Sequence, residues 1–537
     1  MIDVLIKNGV VIDGEGGSAF KADVAIIGDT ISTVGSVGSD EAALTIDATG
    51  KMVCPGFIDL HTHSDFTFLV DGRAQSSIHQ GVTTEVIGQC GYSCAPCTEA
   101  ADLKGMLGYQ PGVDVDWRSA GEYLCRLKKE GVGVNVAALV GHGSLRRCVI
   151  PEGRGKASDE QIEAMCTLLE TCMKEGFHGL SLGLEYEPGT HADTRELVAL
   201  AGAVAAREGI LAAHVRNRDV HYDMAFSEVL SVARITGVRL QISHLSPKFG
   251  APADAVANSL SMIDRLNTNG GDVAFDLIPD NWGPTLMASV LPTWAHEGGI
   301  QATLQYLSDP VAREKMKASP NPIWQLVLQK RWDLITLFHS PDHPELVGKT
   351  MAEIGEAMQC DPHDAAFELL RASGEEMAQV IWAGWNFDEA MQQELLAHPL
   401  CGVMSDAQTV APDGPLAGAT GAPTVYGWVG QFFDRYVKKE GLLTWEEAVR
   451  RVTSLPADRM RLKDRGRIRP GFRADITVMD PNTIACRATI RKPNRHPDGI
   501  SHVLVNGKVA VADGKRVDGN HGQIICHKKP ESESPEG

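Results

Sequence analysis

The feature that most constrains this fold is a regular alternation of short β-branched runs with helical stretches. Eight runs are candidate strands, at 57–61, 82–87, 134–140, 179–184, 210–215, 238–243, 273–278 and 401–405. Helical patterns such as 159–175 and 195–208 fill several of the gaps. Strands that alternate with helices are typical of βα units and a parallel sheet. The alternation therefore predicts an α/β protein with a (β/α)8 TIM-type barrel over residues 56–460.

Both ends of the chain have β patterns. Residues 4–12 alternate around Asn8-Gly9, which predicts a hairpin with a tight turn. Further strand patterns lie at 24–27, 31–34, 474–479 and 503–511, the last again around an Asn-Gly pair. Because two distant segments share one hairpin pattern, we expect a small β-sandwich built from residues 1–55 and 461–518.

Two segments depart from these patterns. The stretch 279–349 is too long for an ordinary βα loop of ~2–6 residues, so we expect an insertion that covers the barrel mouth. Residues 380–382 are a further strand candidate with no place among the eight. The end of the chain, 519–537, is expected to be a disordered tail, since residues 530–537 are rich in Glu, Ser and Pro.

Composition excludes several classes of partner. The net charge of −19 opposes binding to nucleic acid, which needs Lys and Arg against phosphates, and opposes attraction to anionic membranes. No apolar run reaches the ~18 residues of a membrane span, and the first residues lack the pattern of a signal peptide. Twelve cysteines without a secretion signal indicate reduced thiols, so a cytoplasmic protein is expected. A small molecule is the expected partner, with homo-oligomerisation left open.

The segment Pro55-Gly-Phe-Ile-Asp-Leu-His-Thr-His63 carries the first sign of chemistry. An apolar strand ends in two histidines at i and i+2, so His61 and His63 leave the same face. At the carboxyl end of a barrel strand that face points into the site, and two converging imidazoles suit a transition metal. The alternative is a His-x-His on a surface strand without function. The Pro-Gly-Phe-Ile-Asp segment that precedes the two histidines disfavours this alternative.

Four more metal-ligating residue types recur where predicted strands end: Cys90, His214, His244 and Asp406. Taken singly, each has a structural interpretation. Cys90 could be an ordinary buried thiol, and each histidine an ordinary hydrogen-bonded one. Asp406 could be a capping or solvent-facing carboxylate. The recurrence of histidine at the ends of two successive strands favours a role as metal ligands. A carboxylate at the mouth of a barrel is also well placed to act as a general base.

This series of His-x-His, Cys, His, His and Asp at strand ends resembles the amidohydrolase superfamily. Within it, the chain is similar to the N-acyl-D-amino-acid deacylases, the D-aminoacylase family, over about Asp3 to Lys515. The most specific matching segments are 55–63, 88–96, 183–189, 243–244, 405–406 and 462–471. By this resemblance, Cys90, His214 and His244 would hold a tightly bound zinc, and His61, His63 and Asp406 would surround a second, weaker position.

The resemblance also implies a mechanism, hydrolysis of a linear amide C–N bond by a metal-bound hydroxide with Asp406 as general acid and base. Three protein ligands and an open position are typical of catalytic zinc, and a thiolate favours zinc over magnesium. Many relatives bridge two metals with a carbamylated lysine on the fourth strand. Residues 179–184 contain no lysine, so Cys90 is expected to take the bridging position. Glu85, Glu185 and His142 are candidates for supporting the ligands.

The substrate-binding residues depart from the family pattern. Tyr186 matches a substrate-contact position, and Lys248 lies slightly later than the usual lysine. Asp280 stands near the place of a family tyrosine, and Ala422-Pro-Thr-Val-Tyr-Gly427 lacks the family's arginine. We take Tyr186, Lys248 and Asp280 as the substrate-binding candidates. With most of the usual anion clamp absent, simple N-acetyl-D-amino acids are expected to be poor substrates compared with larger or neutral amides.

Three other functions remain as alternatives. The first is hydrolysis of another amide that lacks a free α-carboxylate. The second is a cyclic amide or hydantoin hydrolase, against which the missing lysine of the fourth strand counts. The third is a non-catalytic scaffold, which the presence of all six ligand-type residues disfavours. Metal analysis and a substrate panel separate them.

Overall fold

All eight strands that the alternation predicts are present. The computed structural model describes residues 1–527, apart from 39–41, 104–107, 111, 151–152, 297, 322, 418 and 420–421. In chain order its strands are β1 (Ile2–Val11), β2 (Phe20–Ile27), β3 (Thr30–Gly35), β4 (Ala42–Asp47), β5 (Met52–Pro55), β6 (Phe57–Asp59), β7 (Val82–Ile87), β8 (Asn135–Ala138), β9 (Val140–Gly141), β10 (Gly179–Gly183), β11 (Ile210–His214), β12 (Arg239–Ile242), β13 (Val273–Leu277), β14 (Gly283–Leu286), β15 (Ile335–His339), β16 (Ile381–Gly384), β17 (Cys401–Val403), β18 (Ile476–Met479), β19 (Ile500–Val505), β20 (Lys508–Ala512) and β21 (Lys515–Arg516).

The helices follow the strands in alternation. They are α1 (Thr67–Val70), α2 (Gln75–Ile78), α3 (Ala120–Glu130), α4 (His142–Val149), α5 (Asp159–Lys174), α6 (Thr194–Ala206), α7 (Tyr222–Thr236), α8 (Ala255–Thr268), α9 (Gly299–Ser308), α10 (Pro310–Ala318), α11 (Gln325–Leu328), α12 (Met351–Met358), α13 (Pro362–Ser373), α14 (Glu389–Ala397), α15 (Thr424–Gln431), α16 (Trp445–Arg451) and α17 (Ser454–Arg459), with a π-helix at Phe432–Lys439. The two helices expected at 159–175 and 195–208 are α5 and α6. Ser158 caps α5 in a capping box with Gln161, a local signal that fixes its first turn.

Parallel pairing connects the eight predicted strands. One sheet has the order β6-β7-β8, and a second has the order β9-β10-β11-β12-β13-β17. Only Leu139 separates β8 from β9, so the two sheets are continuous along the chain at this point. A parallel bridge between Thr62 and Ala407 joins the segments that follow β6 and β17. Each predicted run begins at, or one residue before, an observed strand.

The terminal segments share one sheet. Its order is β21-β20-β19-β18-β5-β1-β2-β3, with β4 paired to β1. The hairpin predicted around Asn8-Gly9 is wrong, because β1 runs through it as one strand with an irregular register between Ile6 and Gly9. Asn8 adopts a φ of 63°, and its amide group donates to Asp47 at 3.0 Å. A positive φ at Asn-Gly occurs in β-bulges as well as in hairpin turns. The Asn-Gly pair alone therefore does not distinguish a hairpin from a single irregular strand.

The insertion is longer than the predicted 279–349. The strands β14, β15 and β16 form a separate sheet, and residues from Met287 to Trp382 pack into a second hydrophobic core. The unplaced strand at 380–382 corresponds to β16 of this sheet. Sequence reasoning ended the insertion too early, because no local pattern marks which of two cores a buried helix joins.

The end of the chain is ordered further than expected. Within the predicted tail, Ile524 forms a parallel bridge with Val136, and the Gly522 amide donates to the Val132 carbonyl. Residues 519–527 therefore pack beside β8 and are not a disordered tail. The Glu/Ser/Pro-rich residues 530–537 lie outside the described residues. Among the helices of the described residues, none combines the length and the apolar character that a bilayer crossing requires.

Candidate metal centre and active site

The predicted ligands lie at the carboxyl ends of the parallel strands. His61 and His63 follow β6, Cys90 follows β7, His214 ends β11, His244 follows β12 and Asp406 follows β17. The carboxyl ends of neighbouring parallel strands meet on one face, where catalytic residues of such folds lie. The segments after β6 and β17 are held together by backbone hydrogen bonds, from Asp406 N to His61 O and from His63 N to Ala407 O.

Cys90 is at the centre of the group. Its Sγ lies 3.2 Å from His61 Nε2, 3.6 Å from His214 Nδ1 and 3.4 Å from His244 Nε2. Asp406 Oδ1 lies 3.3 Å from His61 Nε2 and 3.1 Å from His63 Nε2. The structure thus brings all six predicted ligands together, in two overlapping groups that share His61.

Three of the six ligand candidates have a strained backbone. Cys90, His244 and Asp406 have φ values of 51°, 36° and 49°, in the left-handed region that side chains other than glycine seldom adopt. Such strain costs about 1–3 kcal/mol per residue and persists where the surrounding structure enforces it, often at functional sites. Gly183 makes the approach of the Cys90 loop feasible, because a Cβ at that position would lie 2.0 Å from the Cys90 carbonyl oxygen.

Burial keeps the imidazoles neutral. It lowers the pKa of His61 to about 3 and that of His214 to about 4, and it holds the pKa of His244 well below its usual value. Burial raises the pKa of Asp406, but His61 and His63 lower it more, so the carboxylate is ionised at neutral pH. Neutral imidazoles and an ionised carboxylate are the forms in which these side chains bind a metal.

Hydrogen bonds to buried carboxylates orient two of the ligands. His214 Nε2 donates to Glu185 at 2.8 Å, which leaves Nδ1 with a lone pair facing Cys90. The His244 backbone amide donates to Asp276 at 2.7 Å, and Gln241 donates to the other oxygen of that carboxylate. Glu85, a predicted supporting residue, accepts from Ser64, the neighbour of His63, at 2.6 Å. The carboxylates thereby restrict how the ligands can move.

The donor set fits a transition metal such as zinc. His61, Cys90, His244 and Asp406 place one donor atom each within 4.8 Å of one another, and three of these four residues are buried. Sulfur with imidazole nitrogen favours zinc over magnesium or calcium, which prefer oxygen ligands. Asp406 is the most open of the group, with 22% of its side chain exposed.

Two residues named from sequence have partners elsewhere. His142 Nε2 donates to Glu196 at 2.7 Å, beside the buried ion pair of Glu196 and Arg146, and no described contact joins His142 to the metal ligands. The role of His142 as a support for the ligands therefore stays a prediction. Asp280 accepts from Gln431 at 3.3 Å and is buried, away from the described contacts of the centre.

The two other substrate candidates adjoin the centre. The Tyr186 ring centroid lies 4.6 Å from that of His214. The Lys248 ammonium is 2.9 Å from both oxygens of Glu185, so its charge is already paired.

Sequence reasoning missed two residues of this region. Asp276 is buried in β13, and its Oδ1 lies 3.9 Å from His61 Nδ1 as well as accepting from His244. An acidic residue inside an apolar strand is the signal that could have found it. Arg218 follows His214 by four residues, and its Nη1 donates to the His244 carbonyl at 2.8 Å. A basic residue in the loop after a ligand-bearing strand was the signal there.

Comparison with known proteins agrees with this geometry. The family model described as "Amidohydrolase family" matches residues 44–511. This chain belongs to the amidohydrolase family. Within the family it is 33% identical to an N-acyl-D-glutamate deacylase of Alcaligenes xylosoxydans xylosoxydans, over 94% of this chain and 93% of the relative.

Solved amidohydrolase structures extend the likeness to three dimensions. An N-acyl-D-glutamate deacylase from Bordetella bronchiseptica, complexed with zinc and a phosphonate mimic of the tetrahedral intermediate, matches with a TM-score of 0.80 and 31% identity. The match covers 98% of this chain and all of that one (100%). A D-aminoacylase with a binuclear metal centre matches with a TM-score of 0.78 and 27% identity, over 98% and 100% of the two chains.

Proposed function

We propose that this amidohydrolase is a zinc-dependent deacylase that hydrolyses the linear amide bond of an N-acyl-D-amino acid. The observation that carries the proposal is the convergence of three imidazoles on Cys90 Sγ, at 3.2 to 3.6 Å, with the Asp406 carboxylate beside them. The relatives named above support the substrate class. The absence of a lysine in β10 disfavours the hydantoin-type alternative.

Cys90, His214 and His244 would hold the tight zinc, and His61, His63 and Asp406 the weaker position. Zinc bound there would supply a Lewis acid that polarises the amide carbonyl and lowers the pKa of water. Asp406 would accept the proton of the attacking water and deliver it to the leaving nitrogen. Its position supports this role, because it is the ligand candidate most open to solvent and its carboxylate is ionised.

We propose the finer architecture on the strand pairings. The eight parallel strands would close into a (β/α)8 barrel through the Thr62–Ala407 bridge, and the sheet shared by both termini would form a small β-sandwich domain. The insertion between β13 and β17 would cover the barrel mouth. The cytoplasm is the proposed compartment, since all twelve cysteines are free thiols.

A substrate panel tests the function. Zinc-loaded protein would be assayed with N-acyl-D-amino acids, N-acyl-L-amino acids, neutral amides and hydantoins. We expect kcat/KM to be highest for an N-acyl-D-amino acid, and activity to disappear on chelation and return with zinc. Preference for hydantoins, or no turnover of any amide by zinc-loaded protein, would overturn the proposal.

A further inference from the structure

Arg218 is a buried cation, and the side of its guanidinium formed by Nε and Nη2 has no hydrogen-bond partner among the described residues. Its residue is 7% exposed, on the loop between β11 and α7. Nη1 donates to the His244 carbonyl, and Nε has no hydrogen-bond partner among the described residues. No described carboxylate forms an ion pair with Arg218, and no described acceptor takes a hydrogen bond from Nη2. A buried, unpaired charge is costly, so its retention calls for an explanation.

The other cations of this region are already paired. Lys248 binds both oxygens of Glu185 at 2.9 Å. Arg216, two residues before Arg218, pairs with Glu228 at 3.1 Å and with two backbone carbonyls. Lys248, the residue that the sequence offers as an anion anchor, therefore has no free charge to give to a substrate.

The guanidinium of Arg218 lies next to one of the metal-ligand residues. The bond from Nη1 to the His244 carbonyl fixes the guanidinium beside the segment that follows β12. This hydrogen bond and the charge of the guanidinium, which acts on Cys90 and Asp406, place Arg218 within electrostatic reach of the centre. Nε and Nη2 form one side of the planar group, and such a pair of N–H donors matches the two oxygens of a carboxylate.

We propose that Arg218 binds the free carboxylate of the substrate through Nε and Nη2. The proposal rests on the proposed deacylase function and names the residue that binds the α-carboxylate within it. It replaces the expectation from sequence that such acids are poor substrates, because that expectation rested on the missing family arginine and tyrosine and did not consider Arg218. The aromatic ring of Phe387, 6.0 Å from the guanidinium carbon, covers the group from the insertion.

The test compares acids with their carboxamides. The probes are the N-acetyl derivatives of D-glutamate, D-leucine and D-asparagine and their α-carboxamides, with wild type, Arg218→Gln, Arg218→Lys and Lys248→Met, all with measured zinc content. Glutamine keeps a donor for the His244 carbonyl but removes the charge. We expect wild type to prefer the acids by at least about tenfold in kcat/KM, and Arg218→Gln to abolish that preference by losing activity on the acids alone. Arg218→Lys should keep part of the preference for the acids. Lys248→Met should leave unchanged the ratio of kcat/KM for the acid to kcat/KM for the carboxamide.

Equal losses on acid and carboxamide in zinc-loaded Arg218→Gln, or collapse of the ratio in Lys248→Met instead, would overturn the proposal. Calorimetric binding of N-acetyl-D-leucine and its carboxamide to the Asp406→Asn protein gives a readout without turnover. Tighter binding of the acid that disappears in Asp406→Asn/Arg218→Gln supports Arg218 even if no panel compound is hydrolysed. If compounds are hydrolysed but acid and carboxamide bind equally, Arg218 is not the anchor while the deacylase function stands.

Discussion

The Lys248 ammonium lies 2.9 Å from both carboxylate oxygens of Glu185, a bridge between a partly buried base and a buried carboxylate. One of those oxygens also accepts from His214 Nε2. Burial alone would raise the pKa of Glu185, but Lys248 and then His214 reverse the shift, so that the carboxylate is ionised. Lys248 therefore acts on the metal centre indirectly, by keeping charged the group that orients His214.

Glu185→Gln is expected to weaken zinc binding. The variant removes the acceptor charge for His214 and leaves Lys248 without its partner, and loss of such an outer contact typically costs about 10–100-fold in metal affinity. Zinc affinity would be measured by competition with a chelator of known strength. The neighbouring, exposed Glu187 pairs with His191 and with no metal-ligand candidate among the described residues, so Glu187→Gln is the matched control. Unchanged zinc affinity in Glu185→Gln would show that His214 needs no carboxylate.

Cys90→Ala is expected to abolish tight zinc binding. Its Sγ is the atom that contacts three imidazoles, so no other donor substitutes for it. Metal analysis after gel filtration should find about one zinc per chain in wild type and none in the variant. Cys172→Ala, at a buried thiol of α5 far along the chain, should keep its zinc. Tight zinc retained by Cys90→Ala would assign the ligand role to other residues.

Asp406→Asn is expected to keep the fold and the tight zinc while lowering kcat. Loss of acid–base help typically costs about 10²–10⁴-fold in rate. The control is Asp413→Asn, because Asp413 is exposed and pairs with Arg73 instead of a metal ligand. Turnover near that of wild type in a zinc-loaded Asp406→Asn protein would place the proton transfer elsewhere.

Asp280 predicts a pH-dependent loss of stability. Burial raises its pKa from 3.8 to about 7 in the folded protein, while Arg435 lowers it to a smaller degree. In the unfolded chain the Asp280 carboxyl ionises above pH 3.8, whereas in the folded chain it stays protonated up to about pH 7. The free energy of unfolding therefore falls as the pH rises from 3.8 to about 7. The free energy of unfolding falls by about 1.4 kcal/mol per pH unit, or about 4 kcal/mol in all, and it does not recover above pH 7.

Asp280→Asn should remove this penalty. The difference in melting temperature between the variant and wild type should grow in favour of the variant from pH 5 to pH 7.5, measured with zinc-saturated protein. Asp342→Asn, at an exposed carboxylate, should show no such trend. A difference that is constant over pH would mean that Asp280 is ionised in the folded state at all these values.

Local periodicity was sufficient to place the eight parallel strands and the helices α5 and α6. Parallel buried strands are short β-branched runs whatever surrounds them, and capping residues such as Ser158 mark helix starts within a few residues. The signal failed at Asn8, where one backbone conformation serves either a turn or a bulge. It failed again in the insertion, where only tertiary packing assigns helices to a second core.

The identities of the metal-ligand candidates were determined by the sequence itself, because strand ends of a parallel fold converge and His61, Cys90, His214, His244 and Asp406 each follow a recognisable strand. Only the tertiary structure decided which cations are free. Lys248 is neutralised by Glu185, and Arg218 has no carboxylate partner among the described residues. Charge pairing depends on distances of about 3–4 Å between side chains from different loops, and no local pattern encodes those distances.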